Sequence, residues 1–399
     1  MYKFRNLYAW FTRDRIDLSE RKIKEEELYL NNLYEKNRTE LQGQKQSDVT
    51  RSFLQYKCQM KLLSPGKKVL LNVSSIIISP VFILFALINK CKNSDLVPNK
   101  KQVAIINGDI DDIHDDFILN SLKNRFNIIR CKNNNQFSLS YESLLWLIKI
   151  TFTYILSPFF ILRLTIKIAQ YDHIIHQYRY PKAIITASEY SFCSSVLTSY
   201  LHNRGILHIN IMHGEKFFLI RDSFFRFSEC YVWDNHYLEL FKKLKAAPEQ
   251  FIIERPPKHE KIIEMGKDGQ RVNNVIKFYW ASEHEKAELA YLSKHMERLS
   301  QQGFKIIIRY HPLHREYFFN NITPFFKKFE YENPNKTDLY QSLAQTEYIL
   351  GTYTTVLYEG ILMNKKIIIN DYNYPHLKER QYIVVNYNHY KLSEFSMNT

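Results

Sequence analysis

Glycine and proline are scarce, at 10 and 12 among 399 residues. That scarcity excludes collagen-like, linker-dominated and low-complexity chains. Cysteine is scarce as well: Cys58, Cys91, Cys131, Cys193 and Cys230 are scattered and odd in number, without metal-ligand spacing. Such a set excludes a zinc finger and a small disulfide scaffold, and it fits a reducing compartment. Residues 1–13 lack the apolar core of a secretory signal, so the cytoplasm is the expected location. There is no RNA-binding aromatic motif, which makes nucleic acid a poor candidate partner.

What is present is a chain long enough for two or three domains with a sizeable core. Aromatic residues make up 15%, with 28 Tyr and 27 Phe, and the formal net charge is +14. A basic surface of this kind suits an anionic partner, here a phosphorylated substrate or an anionic lipid.

Residues 14–61 are charged and helical in pattern, with Ile16, Ile23 and Leu30 at seven-residue spacing. The repeat is not sustained, so an amphipathic helix packed on the body is favoured over a coiled-coil seam. Two apolar runs follow, VLLNVSSIIISPVFILFALI at 69–88 and LLWLIKITFTYILSPFFILRLTIKI at 144–168. The first has the length of a bilayer span. Asn72 and three serines weaken that reading for the first run, and Lys149, Arg163 and Lys167 weaken it further for the second. Core helices kinked at Pro80 and Pro158, or an interfacial apolar patch with basic flanks, are the remaining readings.

Continuous apolar runs alternate with helical segments through the rest of the chain. Strands are expected at 102–107, 126–131, 183–186 and 207–212, with a helix at 191–203 ended by Gly205. Residues 254–274, with RPPKHEK and GKDGQR, read as a linker. Beyond it come strands at 275–279, 305–310, 348–350 and 366–370, and helices at 284–302, 338–344 and 355–363. This alternation predicts two α/β units with parallel sheets, whose ligands bind at the carboxyl ends of the strands. The expected domains are therefore a helical extension 1–68, an α/β domain 69–253, the linker, and an α/β domain 275–399.

Several strand ends carry chemistry. RYHP at 309–312 puts His311 directly after a strand. Thr352, Thr354 and Thr355 lie between a strand and a helix, offering hydroxyls and helix-start N–H groups to an anion. Glu359 follows one helical turn later. In IMHGEKFF, His213 follows a strand, with Lys216 and Arg221 as nearby positive charges; a neutral histidine there can take a proton from a hydroxyl. Glu189 in TASEYS also follows a strand, as base or nucleophile, or as a helix-start carboxylate. Asp109 and Asp111 form a DxD in NGDIDDIHDD, a short match whose alternative is a solvated acidic loop.

The His-Pro after a strand, the DLY helix at 338–340, the hydroxyl turn and the Glu-Gly helix resemble the nucleotide-binding half of GT-B enzymes that use cytidine nucleotides. These are bacterial sialyltransferases, polysialyltransferases, Kdo transferases and teichoic-acid glycerol- or ribitol-phosphate transferases. The segment 211–241 is similar to the His-Gly segment that closes the first domain in teichoic-acid and capsule transferases. The resemblance covers about 183–369. It implies a GT-B fold, two Rossmann-like domains with a helical N-terminal extension. It implies donor binding by His311, Pro312, Thr352, Thr354, Thr355 and Glu359, and Arg309 of the same RYHP segment is a further donor-site candidate. The base would be His213, Glu189, Asp109 or Asp111, and Lys216 and Arg221 would supply phosphate or acceptor electrostatics.

The turn here is TYTT where relatives are serine-rich, and Gly108 precedes the acids where sialyltransferases place it after them, which leaves the base open. The expected reaction is sugar transfer from a CMP-activated donor of the sialic-acid or Kdo class to a glycan or lipid-linked glycan. No metal or other cofactor is expected. The enzyme would sit at the inner face of the cytoplasmic membrane, on anionic lipid. The rivals are a CDP-glycerol or CDP-ribitol phosphotransferase, a non-catalytic scaffold of polysaccharide assembly, and a metal-dependent GT-A enzyme.

Overall fold

The computed structural model describes residues 23–89, 102–107, 113–131, 136–212, 214–267, 273–280, 285–352 and 354–397. The chain divides into two compact units, residues 1–213 with 218–254, and residues 214–217 with 255–399.

The first unit is built on a six-stranded parallel sheet: β1 Val103–Ile106, β2 Asn127–Arg130, β3 Ala183–Thr186, β4 Leu207–Ile211, β5 Glu229–Val232 and β6 Phe251–Ile253. The strand order is β2-β1-β3-β4-β5-β6. All four residues of β3 are buried, as a strand covered by helices on both faces requires. Helix Ser194–His202 between β3 and β4 ends with Gly205 at φ 69°. There the Ile206 N–H reaches back to the Leu201 carbonyl (3.1 Å), closing a Schellman turn.

The N-terminal helices belong to this unit. Ile23 and Leu30 are buried on helix Ile23–Lys36; Ile16 lies outside the described residues. On helix Gln44–Lys61, the Ser52 hydroxyl accepts from the Val196 N–H (2.9 Å), and Asp48 pairs with Arg226 (3.0 Å).

The two apolar runs fold differently. The first is one helix, Pro65–Ile88, with Pro80 inside it. The second is split into helices Tyr141–Thr153 and Pro158–Gln177, with Pro158 in the first turn of the latter. Proline belongs there, because its missing N–H is one of the unpaired helix-start donors.

The second unit carries β7 Val275–Trp280, β8 Lys305–Tyr310, β9 Glu330–Glu332, β10 Tyr348–Gly351, β11 Lys366–Ile369 and β12 Tyr390–Lys391. Its parallel sheet has the order β12-β11-β10-β7-β8-β9. Counted from the first strand of the unit, this is the 3-2-1-4-5-6 order of the Rossmann fold, and it reverses direction between β7 and β10. The core gathers Phe278, Trp280, Met296, Ile308, Leu350 and Ile368.

The segment read as a linker, 254–274, contains helix Pro257–Lys267, whose His259 and Ile262 are buried. Two Rossmann-like sheets preceded by helices are the components of the GT-B class.

Candidate functional site

In the second unit, β10 and helix Thr355–Leu362 hold the threonine turn between them. The helix lies close on the sheet: a Cβ added at Gly360 would come within 2.1 Å of Ile349 Cδ1. The glycine of the Glu-Gly pair is what allows that approach. Thr354 is the N-cap, and its Oγ1 accepts from the Val356 N–H (3.3 Å). Thr352, buried at the end of the strand, is held on two sides. Its Oγ1 accepts from Asn370 Nδ2 (3.0 Å), and its carbonyl accepts from Gln381 Nε2 (2.7 Å). Asn370 also donates to Glu288 Oε1 (2.6 Å). Thr355 Oγ1 accepts from the Glu215 N–H (3.3 Å).

That last contact brings the segment 214–217 of the His-Gly motif onto the turn, within the same unit. Both carboxyl oxygens of Glu215 are buried. Burial pushes this carboxyl up from 4.5 to about 8, and the neighbouring amide of Gln381 offsets only part of the shift. Glu215 is therefore protonated near pH 7 and presents an O–H donor rather than a negative charge. Lys216 is half-buried in the same segment.

His311 follows β8, and Pro312 opens a short 3₁₀ turn, Pro312–His314. The His311 ring is half-buried and lies 5.3 Å from the His314 ring. Burial, and secondarily the charge of His314, lowers its pKa. The ring is thus neutral at pH 7, with one nitrogen donating and the other accepting.

Two expected donor ligands are engaged inside the unit. Arg309 donates to Glu332 Oε1 (2.6 Å) and to the Thr337 carbonyl (2.9 Å), while buried Lys277 takes Glu332 Oε2 (2.5 Å). Burial alone would push Glu332 up; the hydrogen bonds from Lys277, Ser342 and Arg309 outweigh it, and the net shift is downward. Glu359 is buried and paired with Lys258 at 2.5 Å. It faces a lysine of the segment read as a linker, where the resemblance implies a contact to the donor.

In the first unit, the sheet order places the ends of β1 and β3 side by side. Asp109 and Asp111, in the loop after β1, lie outside the described residues, as does His213 after β4. Glu189, three residues after β3, is fully buried, and its carbonyl accepts from Gln55 Nε2 (2.7 Å). The same Gln55 nitrogen donates to the Arg221 carbonyl (3.0 Å), and the Arg221 guanidinium pairs with Asp222 (3.2 Å). Ser188, beside Glu189, is fixed by Asn210 Oδ1 on its N–H (2.9 Å).

The structure thus gathers Thr352, Thr354 and Thr355, and it adds Glu215, Gln381 and Asn370. The sequence reading had missed these three, because each comes from a different stretch of chain. The only signal for Glu215 was its place in the His-Gly segment.

No family model matches the sequence, and no curated protein matches it. Among solved structures, the chain is similar to the wall teichoic acid polymerase TagF with CDPG, at 10% identity over 79% of this chain and 81% of that one, TM-score 0.39. It is similar to a UDP-N-acetylglucosamine 2-epimerase from Rickettsia bellii, at 12% identity over 67% and 78%, TM-score 0.42. It is also similar to Alr3699/HepE of Anabaena in complex with UDP and glucose, at 11% identity over 68% and 80%, TM-score 0.37. At these identities the likeness is one of fold, and the chemistry has to be argued from the residues themselves.

Proposed function

We propose that the chain is a glycosyltransferase that binds its nucleotide-activated sugar on the second Rossmann-like domain. The observation that carries the reading is the strand order. Ligands of open α/β sheets bind at the carboxyl ends of strands where the order reverses. Here the reversal lies between β7 and β10, and β10 runs into the threonine turn at the start of helix Thr355–Leu362. The hydroxyls, the helix-start N–H groups and protonated Glu215 form a donor-rich, uncharged set, and neutral His311 follows β8, two strands along the same sheet. Such a set suits the phosphate of a nucleotide as it gains negative charge on leaving. Pro312 fixes the turn that presents His311. Arg309 and Glu359 shape the site through their ion pairs with Glu332 and Lys258.

The finer reading is a CMP-activated sugar of the sialic-acid or Kdo class, transferred to a glycan of a bacterial surface polysaccharide. The acceptor hydroxyl loses its proton to a base, for which His213, Glu189, Asp109 and Asp111 are the candidates. Its oxygen bonds to the anomeric carbon, and the carbon–oxygen bond to phosphate breaks with its electron pair going to CMP. Lys216 and Arg221 contribute positive potential. This chemistry calls for no metal.

The test is a product assay with CMP-sialic acid, CMP-Kdo, UDP-sugar and CDP-glycerol donors. Turnover with a CMP-sugar is expected. Turnover with a UDP-sugar alone would keep the transferase and overturn the cytidine donor. Turnover with CDP-glycerol alone would make it a phosphotransferase. Absence of turnover and of nucleotide binding would leave the scaffold reading.

A further inference from the structure

We propose that one face of the first domain, formed by helix Pro65–Ile88 and the turn between helices Tyr141–Thr153 and Pro158–Gln177, docks flat on an anionic lipid bilayer. The proposal does not rest on the nucleotide reading and would hold for a chain without activity.

The helix is apolar on both of its sides. Leu71, Ser75 and Ala86 are buried against the domain. The opposite side, Val73, Ile77, Val81, Leu84 and Ile88, stands exposed at helical spacing, with Ile77 and Val81 each 68% accessible. In the second run, Phe152 is 75% and Leu156 94% accessible. The two elements are joined to each other: Asn72 Oδ1 accepts from the Phe159 N–H (3.3 Å), and the Tyr56 hydroxyl reaches both Asn72 and Ser157. Exposed aliphatic and aromatic side chains concentrated on two joined elements mark an interaction surface.

The polar residues that count against a membrane location in the sequence are satisfied locally. Asn72 Nδ2 donates to the Lys68 carbonyl (2.9 Å) and the Ser74 hydroxyl to that of Leu70 (2.8 Å). The Ser75 and Ser79 hydroxyls donate to the carbonyls of Leu71 and Ser75 (each 2.6 Å). None of these groups needs water.

The helix is long enough to cross a bilayer, at 24 residues or about 36 Å. It is nevertheless tied to the domain near both ends. Asn72 holds the start of the next apolar helix, the Ala86 carbonyl accepts from the Leu139 N–H (3.0 Å), and Asn89 Nδ2 donates to the Phe137 carbonyl (2.9 Å). A helix held along its length lies in the interface plane and does not span.

Charge selects the occupant. Every charged residue of 57–88 and of 144–168 is a lysine or arginine. A second copy of the same face would set lysines against lysines, whereas anionic headgroups complement them.

The experiment is sedimentation of the full chain with phosphatidylcholine vesicles, with and without phosphatidylglycerol. Binding to the phosphatidylglycerol vesicles, weakened by salt, is expected. Ile77→Asp with Leu156→Asp should abolish it with Tm unchanged, since both side chains are exposed. Lys67→Glu with Lys68→Glu should weaken binding to anionic vesicles about tenfold or more. Failure of the native chain to bind, or native binding by the Asp variant, overturns the proposal. So does a dimer that the Asp variant dissociates without any vesicle binding, which would assign the face to a second copy.

Discussion

The two Rossmann-like domains are built on sheets of equal strand number, yet their strand ends differ in kind. At the end of β3 in the first, the backbone N–H of Ser188 and the backbone carbonyl of Glu189 are bonded to the side chains of Asn210 and Gln55 of the same domain. Elsewhere in that domain Asp172 collects the Ser140 N–H and the hydroxyls of Ser143 and Tyr200, so a buried acid is fully occupied with holding helices together. At the ends of β8 and β10 in the second, the groups are a neutral imidazole, threonine hydroxyls and an acid kept protonated by burial. A buried carboxyl that meets three donors is held in structural bonds. One that meets only an amide keeps its proton and is available as a donor. The contrast supports the donor site proposed on the second domain.

The largest test of that contrast is Lys258→Ala. It leaves Glu359 buried without its cation, and unfolding should show a loss of about 3–5 kcal/mol. A loss below about 1 kcal/mol would mean that the pair does not hold helix Pro257–Lys267 on the second domain. His311→Ala should reduce kcat/KM on the order of 100-fold, or about 2.7 kcal/mol, with Tm nearly unchanged. An equal fall in Tm and activity would make the histidine structural.

Glu215→Gln probes the proton itself. The folded value lies near 8, above the ordinary 4.5, so the native chain loses stability as pH rises between these values. The variant lacks that loss. It should gain on the order of 3–4 kcal/mol relative to the native chain between pH 5 and pH 8, while retaining donor binding. A stability difference independent of pH would contradict the assignment. Smallest is Thr354→Ala, which removes the N-cap and should cost about 1 kcal/mol, with weaker nucleotide binding.

The buried strands were legible because parallel strands covered on both faces read as continuous apolar runs. AIIT in β3 and KIIIRY in β8 match their expected bounds residue for residue. The edge strands β6, β9 and β12 were not legible. EYE in β9 is covered on too little of its surface to carry a pattern. Helix Pro257–Lys267 was hidden by the prolines before it, which read as punctuation although Pro257 is in the first turn. Within the candidate site, local order gave the threonine turn and His311. Glu215 and the Lys258 partner of Glu359 depend on chain segments about a hundred or more residues apart, and no local pattern encodes such meetings.

The most direct measurement is thermal unfolding of the native chain and of His311→Ala with CMP, CDP, UDP and GDP. A ligand that binds only the folded state adds about 2.7 kcal/mol at a hundredfold excess over its Kd. The account predicts a rise in Tm with a cytidine nucleotide that disappears in His311→Ala. No rise with any of the four, or a rise that survives the substitution, would contradict a nucleotide site at the ends of β8 and β10.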